Sequence, residues 1–196
     1  MTRFGALDED GVLAAARQVP SPNCDPRPDG AAITLLVIHN ISLPPGQFGG
    51  PEIEALFTNR LDCAQHPYFE SLRGLRVSAH FLVRRGGELL QFVSCDERAW
   101  HAGASSFRGR PDCNDYSIGV ELEGLEGDVF EPAQYAALAR LIDALATEYP
   151  IVAVAGHEHV APGRKNDPGA GFDWPRLRAA LEITTPDFPE DTLPRA

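Results

Sequence analysis

Apolar residues follow two patterns along the chain, and both predict strands. Residues 33–40 are almost continuously aliphatic, which is typical of a strand buried on both faces of a sheet, and residues 151–154 repeat this over a shorter length. Residues 116–124 alternate apolar positions with small or acidic ones, which predicts a strand with two different faces. Residues 77–93 contain two apolar runs around a Gly-Gly pair, which favours a hairpin because glycine supplies the positive φ of tight turns.

Helical periodicity is strongest over residues 132–149, where apolar side chains recur every three or four positions. Pro132 lies in the first turn and Pro150 closes the segment, as expected for a residue that is tolerated at a helix start but not in its interior. Shorter helices are predicted over residues 8–19, 51–58 and 173–182. The chain is therefore expected to combine helices with a sheet.

Two segments lack any periodicity. Residues 20–32 contain four prolines, which deny amide donors to a helix or a ladder, so this segment is expected to be a loop. Residues 183–196 combine prolines with acidic residues and are expected to form a flexible tail. The 196 residues, 43% of them hydrophobic, are enough for one sizeable core, so a single domain is predicted over residues 1–182.

Charge and cysteine content narrow the possible partners and compartment. The formal net charge of −11 argues against nucleic acid and anionic membranes as partners, because both are negatively charged and bind proteins that have an excess of basic residues. The first residues lack the apolar stretch of a secretory signal, so a cytoplasmic protein, expected to be monomeric, is predicted. Its cysteines are then expected to be reduced thiols rather than a disulfide framework. They are Cys24, Cys63, Cys95 and Cys113.

The densest group of reactive side chains lies in residues 155–169, which follow the predicted strand 151–154. His157, Lys165 and Asp167 lie there between glycines and prolines. Imidazole nitrogen and carboxylate oxygen are the ligands that a catalytic zinc ion takes while one coordination position stays open for water. A zinc-dependent hydrolase is therefore the working hypothesis, and it requires a third ligand and a general base elsewhere in the chain.

Two strand residues are candidates for these roles. His39 lies at the end of strand 33–40, where a rigid element would aim a metal ligand, although for this residue taken alone a histidine hydrogen-bonded to a nearby carbonyl is the favoured interpretation. Glu121 shares a face of its strand with Glu123. If Glu121 points inward, burial raises its pKa towards that of a useful base. If this face of the strand is exposed to solvent, both carboxylates are ordinary surface groups.

With these residues in hand, the chain resembles the type-2 N-acetylmuramoyl-L-alanine amidases, which share their fold with the peptidoglycan recognition proteins. Within that family it is most similar to the cytosolic amidases that act on anhydro-muropeptides. The resemblance covers roughly residues 8–182, far more than a single short motif. The matching segments are residues 17–22, 36–46, 76–80, 98–103, 113–124 and 157–169.

The resemblance implies an α+β fold, a single domain in which a central mixed sheet is flanked by helices. It implies that His39, His157 and Asp167 bind Zn²⁺, that Glu121 is the catalytic glutamate and that Lys165 is the second catalytic group. In this branch of the family the substrate is the 1,6-anhydro-N-acetylmuramoyl peptide, a cell-wall turnover fragment. The bond cut joins the lactyl carbonyl to L-alanine, and in some bacteria this recycling keeps β-lactamase induction low.

Four further residues are candidates for substrate contact. Asn40 adjoins the predicted metal site, Arg76 is suited to pair with a carboxylate of the stem peptide, and Trp100 is suited to pack on the sugar ring. His101 belongs to the same loop of small residues as Trp100. The alternative function is a protein of the same fold that binds peptidoglycan fragments without cleaving them, which would have lost a metal ligand.

One position departs from the family pattern. His159 stands where an aspartate is usual, two residues after His157. It is expected either to compete as a zinc ligand or, the favoured interpretation, to support the ligands from outside or to have a purely structural role. A serine or cysteine hydrolase is disfavoured, because the chain has no G-x-S-x-G motif and no cysteine in a recognisable nucleophile context.

Overall fold

A computed structural model describes residues 4–183 and 186–189. Its strands are β1 (Arg17–Gln18), β2 (Cys24–Pro26), β3 (Leu35–Ile41), β4 (Phe81–Val83), β5 (Leu89–Gln91), β6 (Glu97–Ala99), β7 (Ser106–Phe107), β8 (Arg110–Pro111), β9 (Ser117–Glu123) and β10 (Ala153–Gly156). Its helices are α1 (Glu52–Phe57), α2 (Pro67–Glu70), α3 (Pro132–Glu148), α4 (His157–Val160) and α5 (Trp174–Ala180). None of the helices in the described residues is long and apolar enough to cross a bilayer.

The central sheet has six strands in the order β1-β5-β4-β9-β3-β10. All neighbours in it are parallel except the β4–β5 hairpin, so the predicted mixed sheet is confirmed. Two small antiparallel pairs, β2–β6 and β7–β8, lie outside it. The continuous apolar run of β3 is explained by its position, because it has a parallel neighbour on each side and its first four residues are at most 1% exposed.

Alternation along the strands gives the sheet two differently used faces. Leu36 and Ile38 of β3 point into the main core, together with the alternate apolar residues of β9 and the buried side of α3. The next residues along each strand therefore point to the opposite face, which is covered by smaller clusters that include residues of α1. On that face, the parallel register places His39 beside Glu121.

The predicted helix over residues 8–19 is wrong. The segment forms turns that end in β1, and Gly11 has φ +68°, which an α-helix cannot accommodate. Its backbone groups pair instead with a side chain of β5, since the Gln91 amide accepts from Leu13 N and donates to Gly11 O. The apolar periodicity is satisfied without a helix because Leu13 is fully buried against the core.

Two other predictions need local correction. Within the predicted loop 20–32, β2 pairs with β6, so that part of the loop is a strand. In the predicted flexible tail, Asp187 forms an isolated β-bridge with Ala153. Phe188 is buried in the core, where its ring lies edge-on to Trp174. The rest of the predicted tail, residues 184–185 and 190–196, lies outside the described residues.

Candidate metal centre

Three side chains converge where two parallel strands end. His39 is near the end of β3, and His157 directly follows the last residue of β10. Because Gly156 is in register with Ile38, the two histidines come next in the chain at the same level of the sheet. The Nδ1 atoms of the two histidines are 3.0 Å apart. Asp167 Oδ2 is 3.0 Å from Nδ1 of His39 and 3.1 Å from Nδ1 of His157. These are the residues predicted as metal ligands, and the fold brings all three together.

The donor atoms fit a zinc ion chemically. His157 Nε2 lies 3.1 Å from the carbonyl oxygen of Ala102, which only accepts, so this partner assigns the ring hydrogen to Nε2. Nδ1 of His157 then presents a lone pair to the Asp167 oxygen, and two facing lone pairs need a cation between them. Ligands about 2.0–2.1 Å from a tetrahedral zinc are separated by roughly 3.3 Å, close to the separations here.

Glu121 faces the same space from the neighbouring strand. Its Oε2 atom is buried and has no hydrogen-bond partner among the described residues, which is costly for a polar atom unless a ligand or ion completes it. Burial raises the pKa of Glu121 well above its ordinary value; the nearby Asp167 charge adds to this and Lys165 opposes it. The side chain therefore points into the site, and the solvated alternative for this face is wrong.

Glu123, two residues further along β9, is a different kind of carboxylate. It is 1% exposed, and one of its oxygens accepts from Arg84 Nη1 at 2.7 Å and from Gly49 N at 2.7 Å. The other oxygen accepts from the backbone of Arg85. The two acidic residues of β9 share a face but not a function, since Glu123 is fully paired and Glu121 is not.

Lys165 is the only lysine among the 17 basic residues of the chain. Its side chain lines the cavity that contains the three convergent residues, and its backbone amide donates to Ala161 O. The adjacent Arg164 is exposed, but its side chain is not free in solvent. Its guanidinium instead donates to the carbonyls of Ala102 and Ala104, and thereby fastens the segment that carries Asp167 to the loop after β6.

The cavity measures about 510 Å³ and includes all four residues predicted to contact substrate. Arg76 is exposed there and its guanidinium has no partner among the described residues, while Trp100 is half-buried and donates through Nε1 to Asp25. The polar groups of the other two are already engaged within the protein. Asn40 donates to Pro168 O at 3.0 Å, and His101 Nδ1 lies 3.0 Å from His39 Nε2.

His159 lies outside the convergent cluster. Its Nδ1 accepts from the Gly156 amide at 2.9 Å, and its ring makes an edge contact with Trp174. It therefore satisfies the amide of Gly156, the residue before α4, as the side chain three positions later does in a capping box.

Comparison with known proteins agrees with this geometry. The family described as N-acetylmuramoyl-L-alanine amidase matches residues 29–170. The chain belongs to this amidase family. A relative from Citrobacter freundii, 1,6-anhydro-N-acetylmuramyl-L-alanine amidase AmpD, is 57% identical over 177 residues, which cover 89% of this chain and 95% of the relative. The family and enzyme class predicted from the sequence are thereby confirmed.

Two solved structures of amidases are similar to this chain. A crystal structure of a selenomethionine AmpD derivative has a TM-score of 0.88 and 56% identity, covering 90% of this chain and 99% of that one. A complex of the amidase AmiD from E. coli with anhydro-N-acetylmuramic acid-L-Ala-D-γ-Glu-L-Lys has a TM-score of 0.56 and 30% identity, covering 90% of this chain and 65% of that one. The predicted fold class is confirmed by the first of these at nearly full length.

Proposed function

We propose that this chain is a zinc-dependent amidase that hydrolyses the bond between the lactyl group of 1,6-anhydro-N-acetylmuramic acid and L-alanine of the stem peptide. The observation that carries the proposal is the meeting of three metal-binding donor atoms and one unpartnered carboxylate at a single sheet edge inside a large cavity. The reaction in the names of the similar amidases gives the substrate class.

In this proposal His39, His157 and Asp167 hold the zinc ion. When bound by two neutral imidazoles and one carboxylate, a zinc ion would act as a Lewis acid on the scissile carbonyl and would lower the pKa of its water ligand to about 7. Burial lowers the pKa of His39 to about 4, so this imidazole is neutral at pH 7 and its lone pair is available. The loop that contains Asp167 is held in place by Asn40, which bonds Pro168.

Glu121 is the proposed general base and acid. Its unpartnered Oε2 takes a proton from the attacking water and then delivers one to the alanine nitrogen, without which the amine is a poor leaving group. Burial raises the pKa of Glu121, so its carboxylate binds a proton more tightly than an ordinary one does, which favours taking the proton from water. The other carboxylate on this face of β9, Glu123, is paired with Arg84.

Lys165 is the proposed partner of the negative charge that develops on the carbonyl oxygen. Lys165→Met is expected to lower kcat by about 10²–10³-fold while zinc content stays at the wild-type level, since the ammonium acts on the transition state and not on the metal. Steady-state kinetics and metal analysis of the same samples check this. Arg60→Met, which removes an exposed cation outside the cavity, is the matched control. Equal kcat values for both variants would remove Lys165 from the mechanism.

Substrate contact is proposed for the two cavity residues with accessible groups. The free guanidinium of Arg76 is suited to a carboxylate of the stem peptide, and the half-buried indole of Trp100 offers a flat surface for the sugar. We also propose a cytoplasmic monomer. All four cysteines are free thiols, in keeping with a reducing compartment.

The test of the proposed substrate compares two substrates with the zinc-loaded protein. Incubation with an anhydro-muropeptide should release free peptide and anhydro-N-acetylmuramic acid, identified by mass, much faster than peptide is released from intact cell wall. The alternative function, binding of wall fragments without cleavage, predicts a stable complex and no products. Faster release from intact wall would assign the enzyme to a different substrate within the same family.

A further inference from the structure

A line of hydrogen-bonding groups runs away from the metal centre behind His39. His39 Nε2 lies 3.0 Å from His101 Nδ1. His101 Nε2 lies 3.2 Å from Ser117 Oγ, and Ser117 Oγ donates to the carbonyl of Cys113 at 2.6 Å. His39 and Ser117 lie on adjacent strands of the sheet, so this line connects β3 to the start of β9 through a loop residue.

The partners fix the direction of every hydrogen in the line. The Cys113 carbonyl only accepts, so the Ser117 hydroxyl hydrogen points to it and leaves Oγ as the acceptor for His101 Nε2. His101 then carries its hydrogen on Nε2 and a lone pair on Nδ1. The neighbouring His39 must donate from Nε2, which leaves its Nδ1 lone pair facing the position that the metal occupies.

The surroundings show that this position of His101 is built into the fold. Gly119, on β9 between Ser117 and Glu121, lies directly under the imidazole; a Cβ there would be 2.5 Å from the ring. Asn114 Oδ1 accepts the amides of His101 and Ala102 and holds the loop. The lack of a side chain at Gly119 therefore leaves the space that the His101 ring occupies.

We propose that His101 and Ser117 are positioning residues that hold His39 in the tautomer with hydrogen on Nε2, so that its Nδ1 is always available to the metal. This inference rests on the proposed zinc site and replaces the expectation that His101 contacts substrate. Outer partners of metal-bound histidines fix both the tautomer and the direction of the ring, and their loss typically weakens metal binding about 10–100-fold.

The test measures zinc affinity by competition with a chelator in His101→Phe and His101→Asn. Phenylalanine fills the space over Gly119 but cannot accept, so zinc binding should weaken about 10–100-fold. The Asn oxygen can take the place of Nδ1 as acceptor, so its affinity should return to within a few-fold of wild type. Ser117→Ala, a smaller change, should weaken binding in the same direction as His101→Phe. His66→Phe, which alters a half-buried histidine outside the cavity, at the start of α2, should leave the zinc affinity unchanged.

A second readout is independent of metal and of turnover. In the zinc-free protein, nitrogen NMR of the His39 ring should show hydrogen on Nε2 in the wild type and a mixture of tautomers in Ser117→Ala. Wild-type zinc affinity in both His101→Phe and Ser117→Ala, or an unchanged His39 tautomer in Ser117→Ala, would overturn the proposal. If the wild type binds zinc but releases no peptide, the proposed function fails, whereas zinc affinity and the His39 tautomer still test this inference.

Discussion

Glu121→Gln is expected to lower kcat for peptide release from an anhydro-muropeptide by about 10²–10⁴-fold, the usual contribution of a general acid–base group. The amide has the shape of the carboxyl, and no described residue is hydrogen-bonded to the Oε2 atom that it replaces. The variant should therefore fold and bind zinc as the wild type does. Kinetics and metal analysis of one preparation separate loss of the base from loss of the metal.

Glu126→Gln provides the matched control for this variant. Glu126 is an exposed carboxylate in the loop that follows β9, so the same chemical change there should leave kcat near the wild-type value. Activity of Glu121→Gln close to wild type, with zinc bound, would mean that another group moves the proton.

Asp167→Asn is expected to weaken zinc binding by more than about 100-fold, because loss of an outer partner alone costs about 10–100-fold. Asp167 is the only anion among the three convergent donors, so its replacement leaves two neutral imidazoles and a neutral amide to hold a divalent cation. Peptide release at low zinc concentration should fall in parallel. Chelator competition gives the affinity, and activity measured across a zinc titration shows whether added metal restores turnover.

Asp173→Asn makes the same substitution outside the site. Asp173 accepts from Arg176 N at the start of α5, and asparagine caps a helix about as well as aspartate does. Its zinc affinity and its stability should both stay close to wild type. Equal zinc affinity in Asp167→Asn and in this control would exclude Asp167 as a ligand.

The strands near the site were predictable because their patterns depend on burial alone. The continuous apolar run of β3 and the alternation of β9 indicate where the strands end, and parallel pairing then brings His39 beside Glu121. The segment over residues 8–19 was not predictable in this way. Its apolar spacing suits a helix, but the deciding partner, Gln91, is about 80 positions away in the chain and pairs with the backbone.

The site was predictable to a different depth at different residues. The candidates for metal binding could be named from their residue types, their local spacing and the family resemblance. The role of His101 could not be deduced from the sequence, because it depends on the space above Gly119 and on the direction of the Ser117 hydroxyl. For the same reason the bond from the Asn40 amide to Pro168 O could not be deduced, and the predicted contact of Asn40 with substrate stays a prediction.

The most direct test of the account measures peptide release from an anhydro-muropeptide by one preparation in three states: zinc-loaded, stripped by a chelator and reloaded. We predict release in the first state, no release in the second although the protein stays folded, and full recovery in the third with about one zinc ion per chain. Release that continues in the stripped protein would contradict a zinc amidase. A zinc-loaded protein that binds the muropeptide and releases nothing would contradict catalysis itself.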